Sequence, residues 1–407
     1  FPLFLTVVPD SSFILSQDFK FVYPFFKKNK KNPNLLFAWM IPWCYTVFHK
    51  AEQEEKPLEK RQIKYDYLRA IAVMAIVTVH AIPAESANQN QWLFAAAVTP
   101  VLLAFVGIYF MLSGLFLLNS GTEDIKGFYW KRLKEIGIPF FFCSLCYYAY
   151  YVYLSRESLD LTWLEHVKAF VHGLLEGTIP QTSHLWFMYV IMALYLCAPF
   201  LARMLQAMTD RELKIFLILM VAVQGLCTYM NLFQINVEGS LEYMIFKGWV
   251  IYFILGYGLK RLCTRKQTGL FVFLGIGGYG ITMFQKIFTP DNLPGIHDLA
   301  PTMTAMAACI FVLFEFYGDR GPAFLKKAAF FISRHSYTLY LIHYFILHYF
   351  VRAAVETSGA RHYYLARIGW SAGLTFAVSL AAAWLMDETV FRFLKGRWRH
   401  RKREVKG

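Results

Sequence analysis

Apolar residues are grouped along the chain into long runs, separated by short polar and charged segments. Many runs reach about 18 residues with few charges, the length that a helix needs to cross a hydrocarbon core of about 30 Å. Ten such runs follow residue 64. They cover residues 65–83, 93–118, 136–154, 184–202, 213–231, 243–260, 269–286, 299–317, 335–352 and 363–386. The pattern predicts an all-α polytopic membrane protein, a bundle of about ten transmembrane helices.

Composition and charge agree with a membrane chain and predict its orientation. Of the 407 residues, 57% are apolar and only 17% are charged, whereas soluble domains average about a quarter charged. The net charge of +14 is unevenly placed: alternate connections after residue 55, together with the C-terminal tail, hold 27 Lys and Arg residues, and the other connections hold seven. Because basic residues accumulate on the cytosolic side of a membrane, both termini are expected in the cytosol.

The segments outside the runs divide the chain into three parts. Residues 1–64 contain a basic stretch and a short apolar patch broken by Pro42. We expect them to be a cytosolic or interfacial extension, and whether they belong to the natural protein stays open. Residues 65–390 form the expected membrane domain. Residues 391–407 are a basic cytosolic tail, for which membrane lipids are the expected partner and nucleic acid is not.

The longest predicted outer connection, residues 155–183, has apolar positions at near-helical spacing. This spacing fits an amphipathic helix that lies over the outer mouth of the bundle. A surface loop explains the segment equally well.

The first run contains three ionisable side chains, Asp66, Arg69 and His80. Ionisable groups at membrane depth are candidates for function. Arg69 and His80 are eleven residues apart, which places them on one stripe of a helix, roughly 16 Å apart along its axis. Asp66 can pair with Arg69 and hold the guanidinium toward the bundle. Taken singly, Arg69 is also explained as a cytosolic anchor and His80 as a helix-packing residue.

Other runs supply further candidates. His184 opens the fourth run, with Trp186 at the depth of an interfacial aromatic belt. By topology His80 and His184 approach the same outer side, so the two imidazoles can border one cavity and share proton transfer. His343, in the ninth run, is a supporting candidate for the same cavity. Ser113 lies in a Ser-Gly pair, for which close helix packing is the simpler interpretation.

A cationic group precedes the third run. Lys131, Arg132 and Lys134 lie at the predicted cytosolic mouth, where they could hold the phosphates of a nucleotide-bearing donor. The general accumulation of basic residues in cytosolic loops explains these charges equally well.

Four ordered motifs join these pieces. They are DxLRxIA followed by histidine (Asp66, Leu68, Arg69, Ile71, Ala72, His80), FxxSG at 110–114, HLWF at 184–187 and SYTLYLIH at 336–343. Together they resemble the acyltransferase-3 family over residues 65–386. The resemblance implies a multi-pass enzyme of the bacterial cytoplasmic (inner) membrane, which acetylates or at times succinylates surface polysaccharides or lipid-linked sugars from cytosolic acyl-CoA. It also implies that Arg69 and His80 are essential. One departure is Glu135, at a place where the family often has a second basic residue.

The resulting hypothesis is a membrane O-acyltransferase with acyl-CoA, most simply acetyl-CoA, as co-substrate. His80 would be the general base, or would itself be acylated, with Arg69 and His184 assisting. Four residues are expected to bind the donor: Lys131, Arg132, Lys134 and Ser113. No metal is expected, since the cysteines are scattered and the one close pair, Cys143 with Cys146, lies inside an apolar run. The expected partner is a cell-envelope glycan or a lipid-linked sugar, which acts as the acceptor. Separate polysaccharide-synthesis proteins are a further candidate partner.

The alternative is an exporter of polysaccharide or lipid-linked sugar, because many spans with buried charges also suit a transport path. Transporters commonly show corresponding halves. No convincing repeat relates the first five runs to the last five.

Overall fold

The computed structural model describes residues 62–83, 86–120, 124–155, 161–232, 235, 246–288, 299–358 and 363–394. These residues are helical or in turns, and no strand occurs among them. The helices are α1 (Ile63–Ala81), α2 (Gln89–Leu118), α3 (Ile125–Arg132), α4 (Ile138–Leu154), α5 (Trp163–Glu176), α6 (Trp186–Ala207), α7 (Asp210–Leu232), α8 (Val250–Leu262), α9 (Thr268–Phe288), α10 (Pro301–Tyr317), α11 (Ala323–Ile346), α12 (Arg352–Glu356) and α13 (Tyr364–Met386).

The helices confirm the predicted class, an all-helical multi-pass membrane protein. Each of the ten predicted runs overlaps a helix. Among the described residues, seven helical stretches are long and apolar enough to cross a membrane. The other three overlapping helices are α1, which has three charged residues near its start, α8 with 13 residues and α10 with 17. The total of ten spans and the cytosolic placement of both termini stay predictions. The extension 1–64 and the tail 391–407 lie almost wholly outside the described residues.

Three π-helical segments lengthen these helices. Leu133–Gly137 joins α3 to α4, Leu347–Val351 joins α11 to α12, and Asp387–Phe391 continues α13. A π turn changes the direction in which the following side chains project, and such turns are frequent at functional sites.

Helix α2 packs against α1, α6, α8 and α10. It meets α8 backbone to backbone: a Cβ added to Gly114 would stand 1.7 Å from the carbonyl oxygen of Phe253, and one added to Gly256 would stand 2.0 Å from that of Met111. Only residues without a side chain let two helices approach so closely. The packing interpretation of the Ser-Gly pair is therefore confirmed for Gly114.

Helix α1 lies between α2, α11 and α13. Val73 and Val77 are buried against Leu339 of α11 and Ala383 of α13. This burial fixes the rotation of α1 about its axis, so the stripe that carries its arginine and histidine has a defined direction in the bundle.

A buried carboxylate ties the start of α1 to two other helices. Glu315 of α10 accepts a hydrogen bond from the ammonium of Lys64 at 2.9 Å and one from the hydroxyl of Tyr65 at 2.7 Å. Lys260 of α8 donates to the same carboxylate at 2.5 Å. A buried carboxylate is stable when it is paired and hydrogen-bonded in this way.

The segment predicted as either an amphipathic helix or a loop contains a helix, α5. Thr162 and Glu165 form a reciprocal cap at its first turn, where the Glu165 carboxylate accepts from the Thr162 amide at 2.7 Å and from its hydroxyl at 2.6 Å. These hydrogen bonds hold the pKa of Glu165 below its usual value. Gly177, with φ of 71°, ends the helix in the left-handed conformation that glycine favours.

Candidate functional site

Three of the predicted histidines meet at one end of the bundle. His80 is in the last turn of α1, His184 is in the short 3-10 helix Ser183–Leu185 before α6, and His343 is in the last turn of α11. The ring centres of His80 and His343 are 5.3 Å apart, and those of His343 and His184 are 5.2 Å apart. We refer to these three residues as the histidine cluster. The fold thus brings together residues that are up to 263 positions apart in the sequence.

The backbone sets the tautomer of His343. Its side chain is fully buried, and Nδ1 lies 2.6 Å from the carbonyl oxygen of Tyr340. A carbonyl only accepts, so Nδ1 carries the proton, and a neutral ring then has its lone pair on Nε2. That Nε2 is buried and has no hydrogen-bond partner among the described residues. His343 therefore presents an unused proton-accepting nitrogen inside the cluster.

His184 is held in the opposite tautomer. Its Nε2 donates to the carbonyl oxygen of Leu341 at 3.3 Å and lies 3.5 Å from the hydroxyl of Tyr147. Its Nδ1 is buried and, within the part of the chain that the structure describes, has no partner. The hydroxyl of Tyr340 donates to the backbone carbonyl of His184, and the ring of Tyr344 stacks on the imidazole at 4.8 Å. These contacts fix the ring orientation.

His80 is the more accessible member of the cluster. It is half-buried, whereas His184 is 3% exposed. The ring of Tyr344 meets the His80 ring edge to face at 5.4 Å. His80 is therefore the member of the cluster that is partly exposed at the surface of the bundle, whereas His184 and His343 are enclosed.

Two residues that the sequence analysis did not single out adjoin the cluster. The ring of His348 packs on Tyr344 at 4.0 Å. Arg352 donates to the backbone carbonyl of His80 at 3.3 Å and lies 3.4 Å from Nδ1 of His348. They are five and nine residues after His343, a spacing that a straight helix does not place on one stripe, and the π turn Leu347–Val351 changes the direction in which the following side chains project. No periodic signal in the sequence therefore points to them.

Arg69 and Asp66 lie toward the other end of α1. The Arg69 guanidinium is 3.8 Å from the Asp66 carboxylate and 4.7 Å from the ring centre of Phe116. The Asp66 carboxylate is buried and accepts a hydrogen bond from Ser333 of α11 at 2.7 Å. The predicted pairing of Asp66 with Arg69 is present. Asp66 also joins the face of α1 that carries Arg69 to α11.

Arg132 and Ser113 converge on Tyr195 of α6. The Arg132 guanidinium lies 5.8 Å from the Tyr195 ring centre, and the Tyr195 hydroxyl donates to Ser113 at 3.5 Å. The structure thus groups three residues that we call the cationic cluster: Ser113, Arg132 and Tyr195.

The remaining donor-side candidates are less enclosed. Arg132 pairs with Glu135 at 3.2 Å, and its Nε is buried without a partner among the described residues. Lys134 lies over the ring of Trp130 at 5.0 Å, and Lys131 is exposed. Glu135, the departure from the family pattern, thus neutralises part of the Arg132 charge.

Trp186 does not join the histidine cluster. Its ring packs against Trp249 at 5.0 Å and against Phe187 at 6.3 Å. It supports the wall of the bundle beside the cluster.

A second buried histidine pairing was also missed. Nδ1 of His335 in α11 lies 2.6 Å from the carboxylate of Asp387, and Thr338 donates to the same carboxylate at 2.6 Å. His335 is buried. The two contacts join α11 to the π segment after α13. Asp387 follows a long apolar run, and only the three-dimensional arrangement shows its partners.

The fold and the two clusters define a multi-pass membrane protein in which one helix, α1, carries an accessible imidazole at one end and a carboxylate-paired arginine toward the other. A family model described as an acyltransferase domain matches residues 62–387, and the chain belongs to the acyltransferase-3 family. The match includes every residue of both clusters. The searches of curated proteins and of solved structures gave no match.

Proposed function

We propose that the protein is a membrane O-acyltransferase of the bacterial cytoplasmic membrane. It would transfer an acetyl or another short acyl group from cytosolic acyl-CoA to a hydroxyl of a cell-envelope glycan or a lipid-linked sugar. The family supports acyl transfer. One observation supports the chemistry: His343, whose ring adjoins both His80 and His184, and His184 each have a buried ring nitrogen that lacks a partner among the described residues.

The donor is assigned to the cationic cluster. Arg132, with Lys131 and Lys134 on the same helical stretch, would bind phosphate groups, for which a guanidinium has suitable fork geometry. The buried and unused Nε of Arg132 fits a further hydrogen bond. Arg69 lies roughly 16 Å along α1 from His80. This separation suits a donor-binding role better than contact with the reacting carbonyl.

The reaction is assigned to the histidine cluster. The acceptor hydroxyl gives its proton to His80 while its oxygen bonds to the thioester carbonyl carbon. The carbon–sulfur bond then breaks, and the departing thiolate takes up the proton. Nε2 of His343 accepts a hydrogen bond from the protonated His80 ring and so stabilises it. His184 orients the acceptor. The transfer is direct in this scheme, with no acyl-enzyme.

The test is transfer of label from acetyl-CoA to extracted envelope glycans by membranes that contain the wild type or His80→Ala. His172→Ala is the matched control, because His172 of α5 is 71% exposed and lies outside the histidine cluster. We expect His80→Ala to lower transfer by about 10²- to 10⁴-fold and the control to match the wild type. Transfer that does not depend on His80 would contradict the proposed base. Absence of any transfer by the wild type, with glycan export lost in His80→Ala, would favour an exporter.

A further inference from the structure

Arg352 is a half-buried cation beside the histidine cluster. Its described hydrogen-bond partners are the backbone carbonyl of His80 and the Nδ1 atom of His348. Both are neutral acceptors when the imidazole is unprotonated. A guanidinium has more N–H donors than these two bonds use, so donors remain for a further group.

The nearest acidic residue on the same helix is engaged elsewhere. Glu356, one turn after Arg352, pairs with Arg367 of α13 at 3.7 Å. The positive charge of Arg367 therefore offsets part of the negative charge that Glu356 presents to Arg352. The charge of Arg352 is thus partly desolvated and is not directly bonded to a carboxylate of the described chain, a costly arrangement unless a ligand supplies an anion.

We propose that Arg352 and His348 form an anion subsite that binds a phosphate or carboxylate group of the acceptor. This inference rests on the proposed acyl transfer and deepens it. Because Arg352 bonds to the carbonyl of His80 itself, an anion held there lies within about one sugar ring of the His80 imidazole. The subsite therefore selects an acceptor whose reacting hydroxyl is close to a negative charge. A sugar phosphate, a lipid-linked sugar phosphate and a uronic acid share this chemistry.

The experiment measures binding and does not depend on turnover. Purified protein in nanodiscs of neutral lipid is titrated with three anionic probes and their neutral counterparts. The pairs are glucose 1-phosphate with methyl glucoside, glucuronate with the same glucoside, and a polyisoprenyl phosphate with the corresponding polyisoprenol. The variants are Arg352→Gln and Arg352→Lys. The control is Lys168→Gln, which removes an exposed cation of α5 that lies outside the histidine cluster.

We expect the wild type to prefer the anionic member of at least one pair. Arg352→Gln should weaken binding of that anion by about 10- to 100-fold, the range for a hydrogen bond to a charged group, and leave the neutral probe unchanged. Arg352→Lys should fall between the two, because it keeps the charge and loses the planar fork. Lys168→Gln should change the affinity less than threefold. The probe that responds identifies the source of the anion.

Two results would overturn the subsite: no preference for any anion by the wild type, or equal losses in Arg352→Gln and Lys168→Gln. If Arg352→Gln fails to fold, Arg352→Lys and the wild-type preference decide the question. Since the readout is binding, an acyl-transfer assay that fails with an intact anion preference would count against the proposed reaction and not against the subsite.

Discussion

The variant His343→Asn tests the role of Nε2 of His343, the nitrogen without a hydrogen-bond partner among the described residues. The amide nitrogen of asparagine occupies nearly the position of Nδ1, so the bond to the Tyr340 carbonyl, 2.6 Å in the wild type, can be kept. The variant lacks any counterpart of Nε2. His343→Gln is the matched partner, because its longer side chain can place an amide oxygen, a hydrogen-bond acceptor that is not a base, where Nε2 lies.

The expected effect follows from the role of that nitrogen. In the proposed reaction Nε2 of His343 accepts a hydrogen bond from protonated His80, and the ring centres of the two histidines are 5.3 Å apart. A hydrogen bond to a charged group is worth about 1.5–3 kcal/mol, and about 1.36 kcal/mol corresponds to tenfold in rate. His343→Asn should therefore lower kcat by about 10- to 100-fold. His343→Gln should recover most of this loss, because an acceptor is restored.

The assay is steady-state acetyl transfer by purified protein in nanodiscs, with the thermal unfolding midpoint as the control for folding. Unchanged kcat in a folded His343→Asn variant would refute the role of Nε2. A His343→Gln variant as slow as His343→Asn would show that the nitrogen must itself take a proton, so that the assignment of the base to His80 alone would be wrong.

Three further predictions concern stability. Gly114→Ala places a methyl carbon 1.7 Å from a carbonyl oxygen of α8, and the overpacking should cost about 1–3 kcal/mol of stability, measured as a lower unfolding midpoint. Gly373→Ala, where the added methyl group meets open space, should leave the midpoint unchanged. Equal midpoints for the two variants would contradict the close contact. Glu315→Gln leaves two lysines near a neutral amide and should lower the free energy of unfolding by about 3 kcal/mol. Tyr65→Phe removes one hydrogen bond to the same carboxylate and should lower it by about 1 kcal/mol. Similar losses in the two variants would refute the ion-pair argument. The pKa of Glu165 is lowered in the folded protein by its helix-capping bonds, so its contribution is present above the ordinary carboxylate range and is lost as pH falls through the lowered value. Protection of backbone amides against hydrogen exchange in the first turn of α5 should therefore decrease in acid in the wild type. In Glu165→Gln the protection should be pH-independent. A wild type whose protection does not decrease in acid would refute the cap.

Local helix geometry explains why several site features could be predicted from the sequence. The length of the apolar runs indicated the helices, because a helix rises a fixed distance per residue. The spacing of Arg69 and His80 placed both on one stripe of α1 for the same reason. The pairing of Asp66 with Arg69 is likewise a contact within one turn. None of these features depends on how helices pack.

The tertiary structure decided which residues meet and in which chemical form. His343 was a supporting candidate in the sequence, and its role changed once the contact with the Tyr340 carbonyl assigned its tautomer. The pairing of His335 with Asp387 joins residues 52 positions apart. Arg352 reached His80 only through the π turn after α11. These contacts arise from packing between distant segments and from one irregular turn, and neither leaves a periodic trace in the sequence.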